Sequence, residues 1–366
     1  MIESEDSRTK RKEFLTLFII SVVTAALFTL FSFVSTELST GVFVCRILDV
    51  FSSLIFSGTC VYLLVRHPEK RFLWLFGIAG LLIAILLYLS PCFYMYQNQT
   101  DGFRQFYLIG IYLYLIGMIY TGAGKDRTAE WKNYLKAASN GMIVITFLFA
   151  VIYLLFHVAG EVFASPYERE LVRFTLPLLM LCFIAYGVID QVNRNPGAFG
   201  ELSFLLSKVL IPILLAVSAG FTVMAAGGDV HRICLDNEAA LCAQISGFLV
   251  LLANIFYLTG ERDENKPGVF DYFAAAMNLF AVPFQFLFVF MQYSRMFNFG
   301  VTANRLIYCL NGTALIVHFC LTAVSYILFF LRKKPYGSVR ETVWRYLIVY
   351  AVIGVFAAGI LPLIRL

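Results

Sequence analysis

The chain has 366 residues, of which 60% are hydrophobic and only 14% are charged, and its mean hydropathy is +0.80. A soluble chain of this length would form two or three domains, but this composition is typical of a protein that lies in a lipid bilayer. The net charge of +5 does not indicate nucleic-acid binding, because the Lys and Arg residues occur in short clusters between apolar runs. We therefore predict an all-α, polytopic bundle of transmembrane helices with the lipid bilayer as a partner and no nucleic-acid partner.

The first residues predict a short cytoplasmic amino-terminal tail, 1–13, followed by a single integral membrane domain, 14–366. The apolar run after the tail is too long for the core of a cleaved signal peptide, so it predicts an uncleaved first span. A helix needs about 20 residues to cross about 30 Å of hydrocarbon. That length predicts eleven spans, at 14–33, 46–65, 72–89, 106–120, 141–156, 171–189, 204–226, 240–258, 270–291, 306–330 and 343–363. The fourth and fifth are the shortest, and a merged or re-entrant pair there is the alternative count.

The distribution of Lys and Arg predicts the orientation of these spans, because cytoplasmic loops retain positive charge. With the amino terminus inside, 20 of the 28 Lys and Arg residues fall on the inner side. The remaining eight fall outside and all are Arg: Arg46, Arg104, Arg169, Arg173, Arg232, Arg295, Arg305 and Arg365. We predict an amino terminus inside and a carboxyl terminus outside.

The eight cysteines are scattered and form no CxxC motif or Cys/His cluster with the spacing of metal ligands. The sequence therefore predicts no metal site, and it contains no cofactor motif. In an outer loop, the spacing of Cys234 and Cys242 permits a disulfide if that side is oxidising. Two free thiols near the interface are the alternative.

The ninth and tenth predicted spans each carry a polar residue at every seventh position, which places each set along one narrow stripe of its helix. The first stripe is Asp271, Asn278, Gln285 and Gln292, and the second is Asn304, Asn311, His318 and Ser325. In an antiparallel hairpin, equal depth pairs Gln292 with Asn304, Gln285 with Asn311, Asn278 with His318, and Asp271 with Ser325. We predict that the stripes face each other or share one internal cavity, whose wall Asn254 and Gly247 of the eighth span can join.

We call the six central residues of these stripes the polar seam: Asn278, Gln285, Gln292, Asn304, Asn311 and His318. One interpretation is packing, because hydrogen bonds between membrane helices contribute on average about 0.6 kcal/mol each. The other is a hydrated path, because His318 is the one ionisable side chain near the centre of a predicted span and such groups mark transport routes. The first favours a structural or regulatory membrane protein that binds lipid or a protein partner. The second favours a transporter-like protein with a small-molecule substrate.

The link between the two spans contains Gly300, Thr302 and Arg305. Gly300 suits a tight turn with positive φ, and Thr302 can cap the following helix. Arg305 is unfavourable beside the positive end of that helix dipole, so it is expected to have a specific partner. The candidates are an anionic lipid headgroup or an outer carboxylate: Asp229, Asp236 or Glu238. The alternative is an Arg that extends to the interface without a specific partner.

This region resembles a known family. The run from Pro283 to Met291, the aromatic and basic residues Tyr293 and Arg295, and then Gly300-Val301-Thr302-Ala303-Asn304-Arg305 are similar to the bacterial multi-pass family called domain of unknown function 4153. That family has a Gly-hydrophobic-Thr-x-x-Arg element between two late spans. The chain differs at Leu306, where the family commonly has an aromatic residue. The resemblance implies a bacterial inner-membrane location and, since the family has no assigned activity, no particular chemistry.

Enzyme motifs are missing from the sequence. It contains no HExxH, GxSxG or P-loop motif and no paired Asp motif for metal-dependent phosphoryl transfer. We therefore favour a protein that is not an enzyme. The alternative is an enzyme that uses Glu161, Glu168 or Asp229 on the outer face.

Overall fold

The computed structural model describes residues 132–136, 138–140, 143, 201–227, 237–260 and 264–357. The amino-terminal tail, the first four predicted spans and the sixth lie outside these residues, as does all of the fifth except Ile143. The chain divides into two compact units. One consists of Thr128–Lys136 and Phe199–Leu366 and contains all the long helices described below. The other, Met1–Arg127 with Ala137–Ala198, contributes only the helical residues 138–140 and 143 to the described part.

Five long helices make up the described part of the first unit. They are α1 (Leu202–Ala226), α2 (Asn237–Leu258), α3 (Val269–Phe299), α4 (Ala303–Phe330) and α5 (Gly337–Val355). The described residues contain no strand, so the all-helical fold class is confirmed for this part of the chain.

Three segments within these helices are long and apolar enough to cross a membrane: Leu202–Met224, Val269–Phe299 and Arg305–Phe330. Ala243–Leu258 forms a shorter apolar stretch. A membrane-embedded protein is therefore supported by length and composition, while the count of eleven spans and their orientation stay predictions.

Two helix boundaries differ clearly from those predicted. α3 continues to Phe299 instead of ending at Met291, because Gln292, Ser294 and Arg295 lower the hydropathy without interrupting the helix. At 31 residues it is about 46 Å long, which is more than the hydrocarbon thickness. α5 begins at Gly337, six residues before the predicted span, and its charged first turns explain why hydropathy alone missed them.

α3 is the central helix of this unit. It packs against α1, α2 and α4, and α4 in turn packs against α5. Met277 and Ala281 of α3 and Leu315 and Phe319 of α4 are completely buried in the resulting core. The opposite faces expose large apolar side chains, such as Phe286 on α3, as expected for a surface that contacts lipid.

Small residues allow the helices to approach closely, which is how membrane helices generally pack. A Cβ atom at Gly312 of α4 would lie 2.4 Å from Val289 Cγ2 of α3. At Gly260, just after α2, a Cβ atom would lie 2.3 Å from the Phe204 ring of α1. These contacts fix the spacing of the helices that carry the polar side chains.

Candidate functional site

The described members of the polar seam lie inside the bundle. Asn278 and Gln285 are completely buried, Asn311 and His318 retain 1% of their exposure, and Gln292 retains 2%. The side chain of Asn304 lies outside the described residues. The described seam therefore faces protein and not lipid.

Asn278 of α3 forms a reciprocal amide pair with Asn254 of α2. Each Nδ2 donates a hydrogen bond to the other residue's Oδ1 at 2.9 Å, and Asn278 Nδ2 also donates to the Ala274 carbonyl oxygen at 2.7 Å. Both residues are buried, so the pair satisfies polar groups that would be costly to leave without partners in a membrane interior. This pair therefore joins α2 to α3 through two hydrogen bonds.

Gln285 lies two turns further along α3 and also contacts α2. Its Nε2 donates to the Ala243 carbonyl oxygen at 2.9 Å. The contact depends on Gly247, because a Cβ atom there would lie only 2.3 Å from Gln285 Nε2. The same position faces Leu315 of α4, so α2, α3 and α4 meet at this level. Gln285 Oε1 is buried and has no hydrogen-bond partner in the described part.

Asp271 begins the α3 stripe and has a capping role. Its Oδ2 accepts a hydrogen bond from Gly268 N at 2.7 Å, and its Oδ1 accepts one from the Tyr257 hydroxyl at 2.9 Å. A carboxylate in the first turn is also favoured by the helix dipole. Asp271 therefore fixes the start of α3 and ties it to the end of α2.

The α4 stripe contacts α5. His318 Nδ1 lies 3.1 Å from the Tyr350 hydroxyl, and the imidazole ring packs against the Tyr346 ring with centroids 4.8 Å apart. Two turns further along α4, Ser325 Oγ lies 2.9 Å from Thr342 Oγ1. His318 Nε2 and Thr322 Oγ1 are buried on the same face, and neither has a hydrogen-bond partner among the described residues.

These bonds connect the stripes to helices other than those the equal-depth pairs imply. Equal depth pairs Asn278 with His318, but Asn278 forms its hydrogen bond with Asn254 of α2. Equal depth pairs Ser325 with Asp271, but Ser325 forms its hydrogen bond with Thr342 of α5. The register of α3 on α4 is offset from that predicted by about one to two helical turns, since Tyr272 stacks on Phe330 and Gly312 faces Phe288. A seven-residue spacing determines which face is polar, but it does not identify the neighbouring helix in a bundle of many helices.

The turn between α3 and α4 is short. Gly300 has a φ of +81°, a conformation that favours glycine, and Thr302 Oγ1 accepts a hydrogen bond from Arg305 N at 3.4 Å as the N-cap of α4. Arg305 Nη1 donates to the carbonyl oxygens of Phe299 at 3.1 Å and Gly300 at 2.9 Å.

Arg305 therefore has a local partner, the carboxyl-terminal end of α3, whose dipole favours a cation. Those two carbonyl oxygens are its described partners, and the sequence did not suggest them. Of the carboxylates proposed instead, Asp229 and Asp236 lie outside the described residues, as does the side chain of Glu238.

Several other residues singled out in the sequence lie outside the described part of the chain. Cys234 and the side chain of Cys242 lie outside the described residues, so the disulfide stays a prediction, as does an enzyme site at Glu161, Glu168 or Asp229. Within the described ranges, no three or more His, Cys, Asp or Glu side chains form a group that could hold a metal ion.

Sequence reasoning missed the α5 partners and Thr322. Tyr346 and Tyr350 are four residues apart and so share one face of α5, but a pair of tyrosines near a span end is also typical of an interfacial belt. Thr322 lies four residues after His318, and this spacing, which can be recognised in the sequence, places both side chains on one face of α4.

The chemistry of this interior is that of uncharged donors and acceptors. In and beside the polar seam, three buried polar atoms have no hydrogen-bond partner among the described residues: the amide oxygen of Gln285, the hydroxyl of Thr322 and the imidazole Nε2 of His318. Such atoms suit water or an uncharged polar solute. Comparison of the chain with protein-family models, with curated proteins and with solved structures gave no match.

Proposed function

We propose that this chain is a multi-pass membrane protein of the transporter-like class, in which an uncharged polar solute and water move along the polar seam. The observation that carries the proposal is a group of three buried polar atoms in and beside the seam that have no hydrogen-bond partner among the described residues: Gln285 Oε1, His318 Nε2 and Thr322 Oγ1. An unsatisfied polar group in an apolar interior costs several kcal/mol by transfer data, so its retention favours a site that water or solute occupies.

The rest of the proposal follows from the amino-acid pattern. The protein has about eleven spans with the amino terminus inside, and its resemblance to domain of unknown function 4153 supports the bacterial inner membrane as its location. His318, Thr322 and Gln285 form the solute path. Asn254 and Asn278 hold α2 and α3 together beside it.

A second candidate is a structural or regulatory membrane protein that does not transport and that binds lipid or a partner protein. The reciprocal Asn254–Asn278 pair favours it, because both amide groups are satisfied by each other and need no solute. In that case the seam serves only to pack the helices.

Replacement of Thr322 by Val separates the two candidates. Val is close in shape to Thr and lacks the hydroxyl, so the substitution removes an unpartnered polar atom and leaves the packing volume nearly unchanged. We expect proteoliposomes that contain the full chain to swell in glycerol or urea faster than protein-free liposomes, and T322V to reduce the swelling rate at least several-fold. The measurement is stopped-flow light scattering.

Thr313→Val is the matched control, because Thr313 lies on the exposed side of α4 and its hydroxyl donates to the Cys309 carbonyl oxygen at 2.7 Å. We expect T313V to leave the swelling rate unchanged. A T322V protein with unchanged swelling and a higher unfolding temperature would favour the structural candidate.

A further inference from the structure

The turn between α4 and α5 carries three consecutive exposed cations, Arg332, Lys333 and Lys334. None of the three forms an ion pair among the described residues. Two described carboxylates of this region have other partners: Glu264 Oε1 accepts from Arg340 Nη2 at 3.0 Å, and Glu341 pairs with Arg345. The main chain of Glu264 lies directly against the turn, because its carbonyl oxygen accepts from Tyr336 N at 3.0 Å. Among the described residues, the three cations of the turn therefore have no ion-pair partner.

An apolar stripe on α4 leads into this basic turn. Its members are exposed and recur at intervals of three or four residues: Val317, Leu321, Val324, Ile327 and Leu331. The stripe covers about 21 Å along the helix axis, which is more than the roughly 15 Å of hydrocarbon in one leaflet. It lies on a different face of α4 from His318 and Thr322, which are buried. An acyl chain beside this stripe would have its headgroup at the level of the basic turn.

The backbone holds the basic side chains in place. Lys333 N donates to the Leu328 carbonyl oxygen at 3.0 Å and Arg332 N donates to the Phe329 carbonyl oxygen at 2.9 Å, which is the bonding pattern of a Schellman motif. Arg332 takes the left-handed position of that motif with a φ of 54°, where glycine is the usual residue. Replacement of Arg332 by Gly therefore removes a charge and relaxes the backbone at the same time.

We propose that the α4–α5 turn is a binding site for an anionic glycerophospholipid, with the headgroup phosphate held by Arg332, Lys333 and Lys334 and an acyl chain on the α4 stripe. The guanidinium can bind phosphate through two parallel hydrogen bonds, and the two ammonium groups add point charges. A lipid is favoured over a free phosphate because the apolar stripe continues directly from the cations. The site is independent of the polar seam.

The test is titration of the purified full chain, in neutral detergent, with dioleoylphosphatidylglycerol, with dioleoylphosphatidylcholine and with glycerol 1-phosphate. Binding is measured as the rise in unfolding temperature, since a ligand stabilises the state that it binds. We expect phosphatidylglycerol to bind more tightly than phosphatidylcholine, and glycerol 1-phosphate to give no stabilisation at the same concentrations. Equal affinity for the two lipids would overturn the proposal, and equal stabilisation by glycerol 1-phosphate would show a free-phosphate site instead.

Variants of the α4–α5 turn provide a second test of the proposed lipid site. Each basic residue near an anionic surface contributes a factor of about five to ten in affinity. R332G/K333Q/K334Q should therefore weaken the affinity for phosphatidylglycerol by roughly 100-fold or more, and R332G alone by about five- to tenfold. R345Q is the control for general charge, because it removes one cation that already has a carboxylate partner. R345Q should change the affinity by less than about twofold. If the triple variant does not fold, R332G decides the question, and wild-type affinity in R332G would overturn the proposal.

Discussion

At the level of single residues, the Asn254–Asn278 pair is a reciprocal polar link between α2 and α3. Both side chains are buried and each donates to the other, so neither can be replaced alone without leaving an amide group unsatisfied. An unsatisfied buried group costs about 1–3 kcal/mol, whereas replacement of both partners by apolar groups costs much less.

We therefore expect Asn254→Leu and Asn278→Leu each to lower the free energy of unfolding by about 1–3 kcal/mol, and the double variant to lower it by less than the sum of the two. The measurement is a double-mutant cycle from unfolding of the purified chain in a denaturing detergent. Asn298→Leu serves as the control, because Asn298 is exposed at the end of α3. Additive effects in the double variant would contradict the reciprocal pair.

Individual residues also show how far sequence reasoning reaches. The structure places Asn254 and Gly247 in contact with the α3 stripe, and local rules predicted the glycine turn at Gly300 and the N-cap at Thr302. The same reasoning did not find the partner of Arg305. The prediction for Arg305 considered only the dipole of α4, the helix whose first turn contains Arg305. It did not consider the carboxyl-terminal end of α3, where Arg305 donates to two carbonyl oxygens.

At the level of helices, the contact of α3 with α4 depends on close approach at Gly312. The space that a Cβ atom would need is occupied by the Val289 and Phe288 side chains, at 2.4 Å and 3.2 Å. Insertion of a methyl group into a packed core usually costs about 1–3 kcal/mol. The close contact of α3 with α4 therefore depends on the small size of Gly312.

Gly312→Ala should lower the free energy of unfolding by about 1–3 kcal/mol, and a second substitution, Val289→Ala, should recover part of that loss because it makes room for the new methyl group. Gly220→Ala is the matched control, since a Cβ atom at Gly220 meets nothing within 4 Å. Helix propensity predicts that G220A is neutral or stabilising by up to about 1 kcal/mol. An equal loss in G220A would show that the cost arises from the backbone and not from the α3–α4 contact.

The helices could be predicted from the sequence more fully than their neighbours. Apolar runs located α1 to α4 well, because hydropathy over about 20 residues is a strong signal. The carboxyl-terminal eight residues of α3 were missed, since a helix that leaves the hydrocarbon can continue with polar residues until a glycine ends it. The contact of α4 with α5 was also missed, because a polar stripe does not indicate which helix packs against it.

At the level of the whole molecule, the described unit contains three kinds of region. Exposed apolar faces suit lipid, the α4–α5 turn carries three exposed cations, and the interior contains uncharged polar side chains of which some have no hydrogen-bond partner among the described residues. The central claim is that this interior contains water and solute. A packed interior without water would have the same apolar faces but would leave Thr322 Oγ1 and His318 Nε2 unsatisfied in a membrane.

The most direct test uses two single-cysteine variants of α4 in the full chain, with the other native cysteines replaced. One retains native Cys320, which is exposed on the apolar side, and the other carries Thr322→Cys on the buried side. The two positions differ by only about 3 Å in depth, so they compare the two faces of one helix. The measurement is the rate at which each thiol in proteoliposomes reacts with silver ions or with a charged methanethiosulfonate.

A water-soluble reagent needs a hydrated route and an ionisable thiol, and hydrocarbon offers neither. The account predicts that Cys at 322 reacts at least about tenfold faster than Cys320, and that glycerol slows the reaction at 322 alone. Equal and slow reaction at both positions would contradict a hydrated seam and leave packing as its role.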